Sequence, residues 1–179
     1  MTEELRELNL EEGSDIFEMT REIGLGANGF VNSFYSETRD EFHNLLVKNY
    51  NMARAKQLPE GLVPQTVYWL YADGRPVGYG KMRHALNGQL KKRGGHIGYV
   101  IRPSERGKGY AKLLLQLLLR EAAGKGIREA LLTCNEDNAP SRRVIESCGG
   151  VLQDNIDGIC RYHVPAGQVL GSTLGSTGT

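Results

Sequence analysis

One short segment constrains this chain more than any other: Ile101-Arg-Pro-Ser-Glu-Arg-Gly-Lys-Gly-Tyr-Ala111, running straight into the leucine-rich stretch Lys112 to Arg120. A β-type run ends at Pro103, two glycines follow with a lysine between them, and an amphipathic helix begins. Glycines at a strand-to-helix turn let backbone N–H groups converge on one point, because no Cβ blocks the approach. The helix aims its unpaired N–H groups and the positive end of its dipole at the same point. With Arg106 and Lys108 alongside, the turn reads as a cradle for a pyrophosphate.

The distribution of charge supports an anionic ligand. The net charge is only +1. Residues 1–45 nevertheless hold eleven Asp or Glu against three Lys or Arg, while residues 75–128 hold thirteen Lys or Arg against Glu105 and Glu121. Nucleic acid is disfavoured as the partner, because the basic block has no RNA-binding motif and no aromatic stacking platform. A phosphorylated small molecule uses the same charge, and the glycine turn lies inside the block. The 179 residues suit one domain, expected over 1–166, with a disordered Gly/Ser/Thr-rich tail over 167–179. No apolar run is long enough for a membrane span. Three cysteines without CxxC spacing, and an acidic N-terminus without a hydrophobic core, fit reduced thiols in the cytoplasm. No set of residues has metal-ligand spacing; a homodimer is the assembly expected beyond the monomer.

Along the chain, strands and helices alternate. A weak first strand is expected over 5–10, then a helix from Ser14, as its cap, to Ile23, a loop over 24–34, and a second helix over about 37–56. Strands over 66–72 and 76–83 flank Asp73-Gly74, a hairpin signal. A polar connection (85–94) leads to a fourth strand, His96 to Arg102, and the main helix over 107–123. A fifth strand (129–134), a short helix (139–147) stopped by Gly149-Gly150, and two final strands (151–153 and 159–163) complete the pattern.

Two other phosphate motifs fail on context. Gly24-Leu-Gly-Ala-Asn-Gly29 matches GxGxxG as a string but follows a helical pattern and opens no helix. A Walker-type loop lacks its first glycine, and Tyr110 stands where the magnesium-binding Ser or Thr belongs.

The turn resembles the acyl-CoA binding motif of the GNAT superfamily of N-acyltransferases, here Arg106-x-x-Gly109-x-Ala111, and the element order over roughly 5–165 is similar to theirs. Residues 95–111, 132–138 and 158–162 further resemble a bacterial branch of predicted acetyltransferases. The resemblance implies an α/β fold: a mixed, mostly antiparallel, twisted sheet, splayed between strands four and five and flanked by helices. It implies acetyl-CoA as acyl donor, held by Tyr99, Val100, Ile101, Arg106, Gly107, Lys108, Gly109, Tyr110 and Ala111, with Asn138 and Ser141 on the pantetheine arm. The activity implied is direct acetyl transfer to a primary amine of a small molecule or peptide, with backbone N–H groups near Val100 polarising the thioester.

His96 and Tyr99 are the candidate acid–base residues, with His84, Tyr35, Tyr79 and Glu60 as rivals. Ile145 stands where many relatives carry the tyrosine that protonates the departing thiolate, and Thr133 where some carry a glutamate base. Those departures sustain an alternative, a non-catalytic acyl-CoA sensor. The acidic first 45 residues, entering the acceptor wall through the loop at 26–34, would favour cationic amines.

Overall fold

Residues 1–167 are described by the computed structural model; positions 168–179, nearly all of the expected tail, lie outside the described residues. In chain order the elements are β1 (Glu3–Glu7), α1 (Ser14–Ile23), a two-residue ribbon of β2 (Gly26–Ala27) and β3 (Phe30–Val31), α2 (Arg39–Ala53), β4 (Gln65–Ala72) and β5 (Arg75–Arg83). Then follow α3 (Gly88–Lys92), β6 (Ile97–Ile101), α4 (Tyr110–Gly124), β7 (Glu129–Asn135), α5 (Ala139–Ser147), β8 (Val151–Ile156) and β9 (Ile159–Pro165). The fourth and fifth strands of the sequence reading are therefore β6 and β7.

Two antiparallel sheets stand side by side, β1-β4-β5-β6 and β7-β9-β8. Helices cover both faces of the larger sheet, so β4 is buried at every residue. On one face α4 inserts Leu114, Leu115, Leu118 and Leu119 against Leu70, Met82 and Ile97, each leucine contributing about 2 kcal/mol of apolar burial. Lys112 and Arg120 of the same helix, eight residues apart on one side of it, stay exposed. On the other face α1 and α2 enclose Ile16, Met19, Phe34, Phe42, Trp69 and Tyr79, with the rings of Phe34, Trp69 and Tyr79 packed edge to face.

The two sheets meet at one point and then part. Gly95 has φ +61°, and a Cβ there would lie 2.2 Å from the Leu131 carbonyl oxygen, so only glycine permits the approach. Directly after it, the His96 N–H donates to the Leu131 carbonyl at 2.7 Å, and the Leu131 N–H donates to His96 Nδ1 at 2.9 Å. The imidazole nitrogen thus replaces a strand carbonyl. One residue earlier, the Gly94 N–H donates to Thr133 Oγ1 at 2.7 Å. Beyond this clasp β6 and β7 share no ladder, and a cleft opens between them.

Local structure corrects some expectations. Gly13, not Ser14, occupies the N-cap of α1, and no side chain caps it. The second helix starts at Arg39 because Thr38 and Glu41 form a capping box. The connection at 85–94 contains the short helix α3, whose cap Asn87 accepts from the Leu90 N–H at 2.9 Å.

Candidate active site

The cleft between the parted strands has a volume of about 620 Å³. One wall is β6. Its register with β5 runs without a shift, and the Arg102 N–H donates to the Val77 carbonyl. Because backbone groups alternate along a strand, Gly98 and Val100 point theirs at β5, while Tyr99 and Ile101 point theirs toward β7. The N–H groups open to a ligand are therefore those of Tyr99 and Ile101 rather than of Val100.

At the end of β6 the chain makes one 3₁₀ turn, Pro103–Glu105, and enters the glycine loop. Glu22 of α1 clamps this turn from outside, accepting from Arg102 Nε at 2.6 Å and from the Ser104 N–H at 2.7 Å. Gly109 caps α4 in the left-handed conformation, with φ +85°. No atom lies within 4 Å of where its Cβ would be. The first N–H groups of α4 thus face open space without a capping side chain, which is the geometry an anionic phosphate needs. Arg106 donates through Nε to the Ile101 carbonyl at 3.0 Å.

Lys108 turns to Glu105 instead, its Nζ 2.7 Å from that carboxylate. Glu105 also meets Arg75 at 3.2 Å, and the hydrogen bond from Lys108 holds its carboxyl below the usual range. Tyr99, Val100, Ile101, Arg106, Gly107, Gly109, Tyr110, Ala111, Asn138 and Ser141 all line the cleft, whereas Lys108 and His96 do not.

The opposite wall comes from β7 and α5. Asn138 caps α5, its Oδ1 accepting from the Ser141 N–H at 3.3 Å. Its Nδ2 has no partner among the described residues, so capping leaves a donor for a ligand amide. Asn138→Ala should lower stability by about 1 kcal/mol, read as a fall of a few degrees in thermal midpoint, and weaken acetyl-CoA binding several-fold by calorimetry.

Across the cleft the Tyr99 hydroxyl lies 3.1 Å from Ser141 Oγ. Burial pushes the Tyr99 phenol up to about 12, so it stays protonated at any ordinary pH. Ile145 lies one turn further along α5 and is 1% exposed. Cys134 also lines the cleft, but burial raises its thiol to about 11, which makes it a poor nucleophile.

The rival acid–base candidates have other partners or positions. Tyr79 is fully buried and pins the loop at 24–36 through Asn32 Oδ1 and the Ser33 N–H. His84 Nε2 bonds Thr66 Oγ1 at 2.7 Å, and Tyr35 donates to Glu37 on the surface. Glu60 is exposed and lines neither cavity.

The loop residues Ala27 to Val31 do wall the cleft, as expected of the glycine-rich loop. That loop contains no acidic residue, and no carboxylate of the first 45 residues lines either the cleft or the smaller cavity beside it. These carboxylates serve elsewhere: Glu12 accepts from Trp69 Nε1 and Asp15 from the Tyr71 hydroxyl. The expected acidic acceptor wall is not there. Sequence reasoning also missed Lys81 and Arg83, which line both cavities.

The overall fold is shared with solved acetyltransferases. A RimL ribosomal L7/L12 α-N-protein acetyltransferase, solved with coenzyme A, superposes with a TM-score of 0.68 at 18% identity, over 92% of this chain and 94% of that one. The protein yncA of Salmonella typhimurium, solved with acetyl-CoA, gives 0.64 at 15% identity, over 96% and 98%. The N-acetyltransferase PseH of Campylobacter jejuni, with acetyl coenzyme A, gives 0.62 at 10%, over 92% and 99%. At such identities the likeness concerns the fold. A search of curated protein sequences finds no match. Residues 31–150 match the sequence profile described as the acetyltransferase (GNAT) family, and the chain belongs to that family. It is an acetyltransferase whose donor is acetyl-CoA. No described helix is long and apolar enough to cross a membrane.

Proposed function

We propose that this enzyme transfers the acetyl group of acetyl-CoA directly to a primary amine of a small molecule or peptide. The observation that carries this reading is the opening of β6 toward β7 next to the Gly107–Gly109 loop, because it supplies two binding surfaces at once. The loop and the head of α4 take the pyrophosphate, with Arg106 beside them. The Tyr99 and Ile101 N–H groups, Asn138 Nδ2 and Ser141 meet the amide-bearing arm as an added strand would. Lys108 supports the loop through Glu105.

Holding donor and amine in one cleft supplies much of the rate enhancement. Backbone N–H groups of β6 polarise the thioester carbonyl from a fixed position, with no reorganisation. Tyr99 delivers a proton to the departing sulfur, with Ser141 orienting its hydroxyl. His96, bound through Nδ1 to Leu131, keeps the cleft open to the right degree by fixing where the strands part. The cleft lining holds no histidine, and its one carboxylate, Glu105, is already paired. Lys81 also lines the cleft, but its Nζ is turned to the Val31 carbonyl, so the proton of the attacking ammonium leaves through water at the cleft mouth.

The test is amine-dependent release of CoA thiol from acetyl-CoA across a broad amine panel, with the acetylated product identified by mass. Tight acetyl-CoA binding without release for any amine would defeat the proposal.

A further inference from the structure

Beside the cleft lies a second cavity of about 360 Å³, and Val31, Lys81 and Arg83 form the wall between the two. Lys81 is 6% exposed. Its Nζ donates to the Val31 carbonyl at 2.6 Å and lies 4.7 Å from the centre of the Phe30 ring. Arg83 donates through Nη1 to the carbonyls of Gly94 and Gly95, at 3.2 and 3.1 Å. Neither cation has a carboxylate partner among the described residues. Two other arginines with little exposure do: Arg102 pairs with Glu22, and Arg161 with Asp154.

Taking a cation out of water costs several kcal/mol unless an anion compensates, and two adjacent cations raise the cost further. Burial, and then the charge of Arg83, depress the Lys81 ammonium to about 7. A neutral carbonyl and a ring face offset only part of that penalty. The missing partner is an anion, and the cavity lining supplies none: its charged residues are Lys48, Lys81 and Arg83.

Position separates this site from the phosphate cradle. Lys81 pairs with Gly98 in the sheet, and the Arg83 N–H donates to the His96 carbonyl. Both therefore sit at the start of β6, while the glycine loop follows its end, ~13 Å away at strand rise. An anion there belongs to the acceptor rather than to the donor.

We infer that Lys81 and Arg83 bind an anionic group, carboxylate or phosphate, on the acceptor, so that the substrate is an amine carrying a negative charge. This rests on the acetyl-transfer reading for its biological meaning, and its test separates the two. Matched acceptors serve as probes: β-alanine against propylamine, 6-aminohexanoate against hexylamine, and phosphoethanolamine against ethanolamine. Calorimetry on the CoA-saturated protein measures binding, and thiol release from acetyl-CoA measures kcat/KM.

The anionic member of at least one pair should bind and react tenfold or more better, consistent with a charge-assisted hydrogen bond. The winning pair identifies carboxylate or phosphate. Lys81→Met and Arg83→Gln, each checked for an intact thermal transition, should cut that preference about tenfold, the anionic member losing more than its neutral partner. Equal or better binding of the neutral amines, no measurable binding of any anionic amine at millimolar concentration, or a preference that survives both substitutions overturns the inference. So does an equal loss on both members in Lys81→Met, which would mark proton transfer instead. A binding preference without CoA release leaves the anion site standing and defeats the acetyl-transfer reading.

Discussion

Gly109→Val is expected to weaken acetyl-CoA binding by at least tenfold while Gly126→Val leaves it unchanged. The pair isolates the cradle from backbone strain. Both glycines have φ +85°, and neither has an atom within 4 Å of its missing Cβ. A β-branched residue in that conformation costs a few kcal/mol at either position, so the two variants should lose similar stability in thermal melts. Only Gly109 faces the cleft, as the cap of α4, where a valine would fill the space between the helix N–H groups and a phosphate. Gly126 follows the far end of the same helix, with its N–H bonded to the Ala123 carbonyl. Equal acetyl-CoA affinities in the two variants would remove the glycine loop from the binding site. Arg106→Ala should weaken binding less, since it removes one charge-assisted contact and leaves the backbone cradle intact.

The run of strand, glycine turn and helix was legible because its physics is local and its parts are adjacent in sequence. The short helix α5 was legible for the same reason, with Asn138 and Pro140 at one end and Gly149 at the other, and its bounds agree with the expectation. The helix α3 was not, because its five residues hold a single apolar side chain, Leu90, which sets no period, and its cap depends on Asn87 alone. His96 illustrates a deeper limit. A histidine near a polar connection invites an acid–base role, but here its ring nitrogen completes a strand pairing with Leu131, which only the register of β7 reveals. Lys81 and Arg83 were hidden by their place in the strand. With period two they share a face of β5 with Tyr79, and the strand pattern does not say what covers the end of that face. The fold covers it with α1, α2 and the Phe30 ribbon, so the Lys81–Arg83 end becomes the wall of two cavities.

Tyr99→Phe should lower kcat about tenfold to a hundredfold while leaving acetyl-CoA affinity within a few-fold. Ile145, the position at which the sequence resemblance expects a tyrosine, is packed so that a Cβ on Gly150 would lie 2.6 Å from its Cγ2. A tyrosine there would overpack the core, so Ile145→Tyr should destabilise the protein rather than supply an acid. Tyr99 reaches the same region from the opposite wall, with its hydroxyl on Ser141, one helical turn before Ile145. A thiolate leaves readily because thiol pKa values lie near 8.5. Help from an acid should therefore fall at the low end of, or below, the range of about a hundredfold to ten-thousandfold typical of such catalysis.

The pH dependence follows from the same geometry. With its phenol raised to about 12 by burial, Tyr99 stays protonated throughout the assay range. The wild-type kcat should thus show no alkaline loss from this group between about pH 7 and 10. Loss of the hydroxyl costs about 1 kcal/mol through its bond to Ser141, and Ser141→Ala removes the same bond while keeping the acid. A kcat loss in Tyr99→Phe clearly larger than that in Ser141→Ala, which loses only the orienting bond, assigns the difference to proton delivery. Wild-type turnover in Tyr99→Phe would instead mean that water protonates the sulfur and that Tyr99 only shapes the cleft.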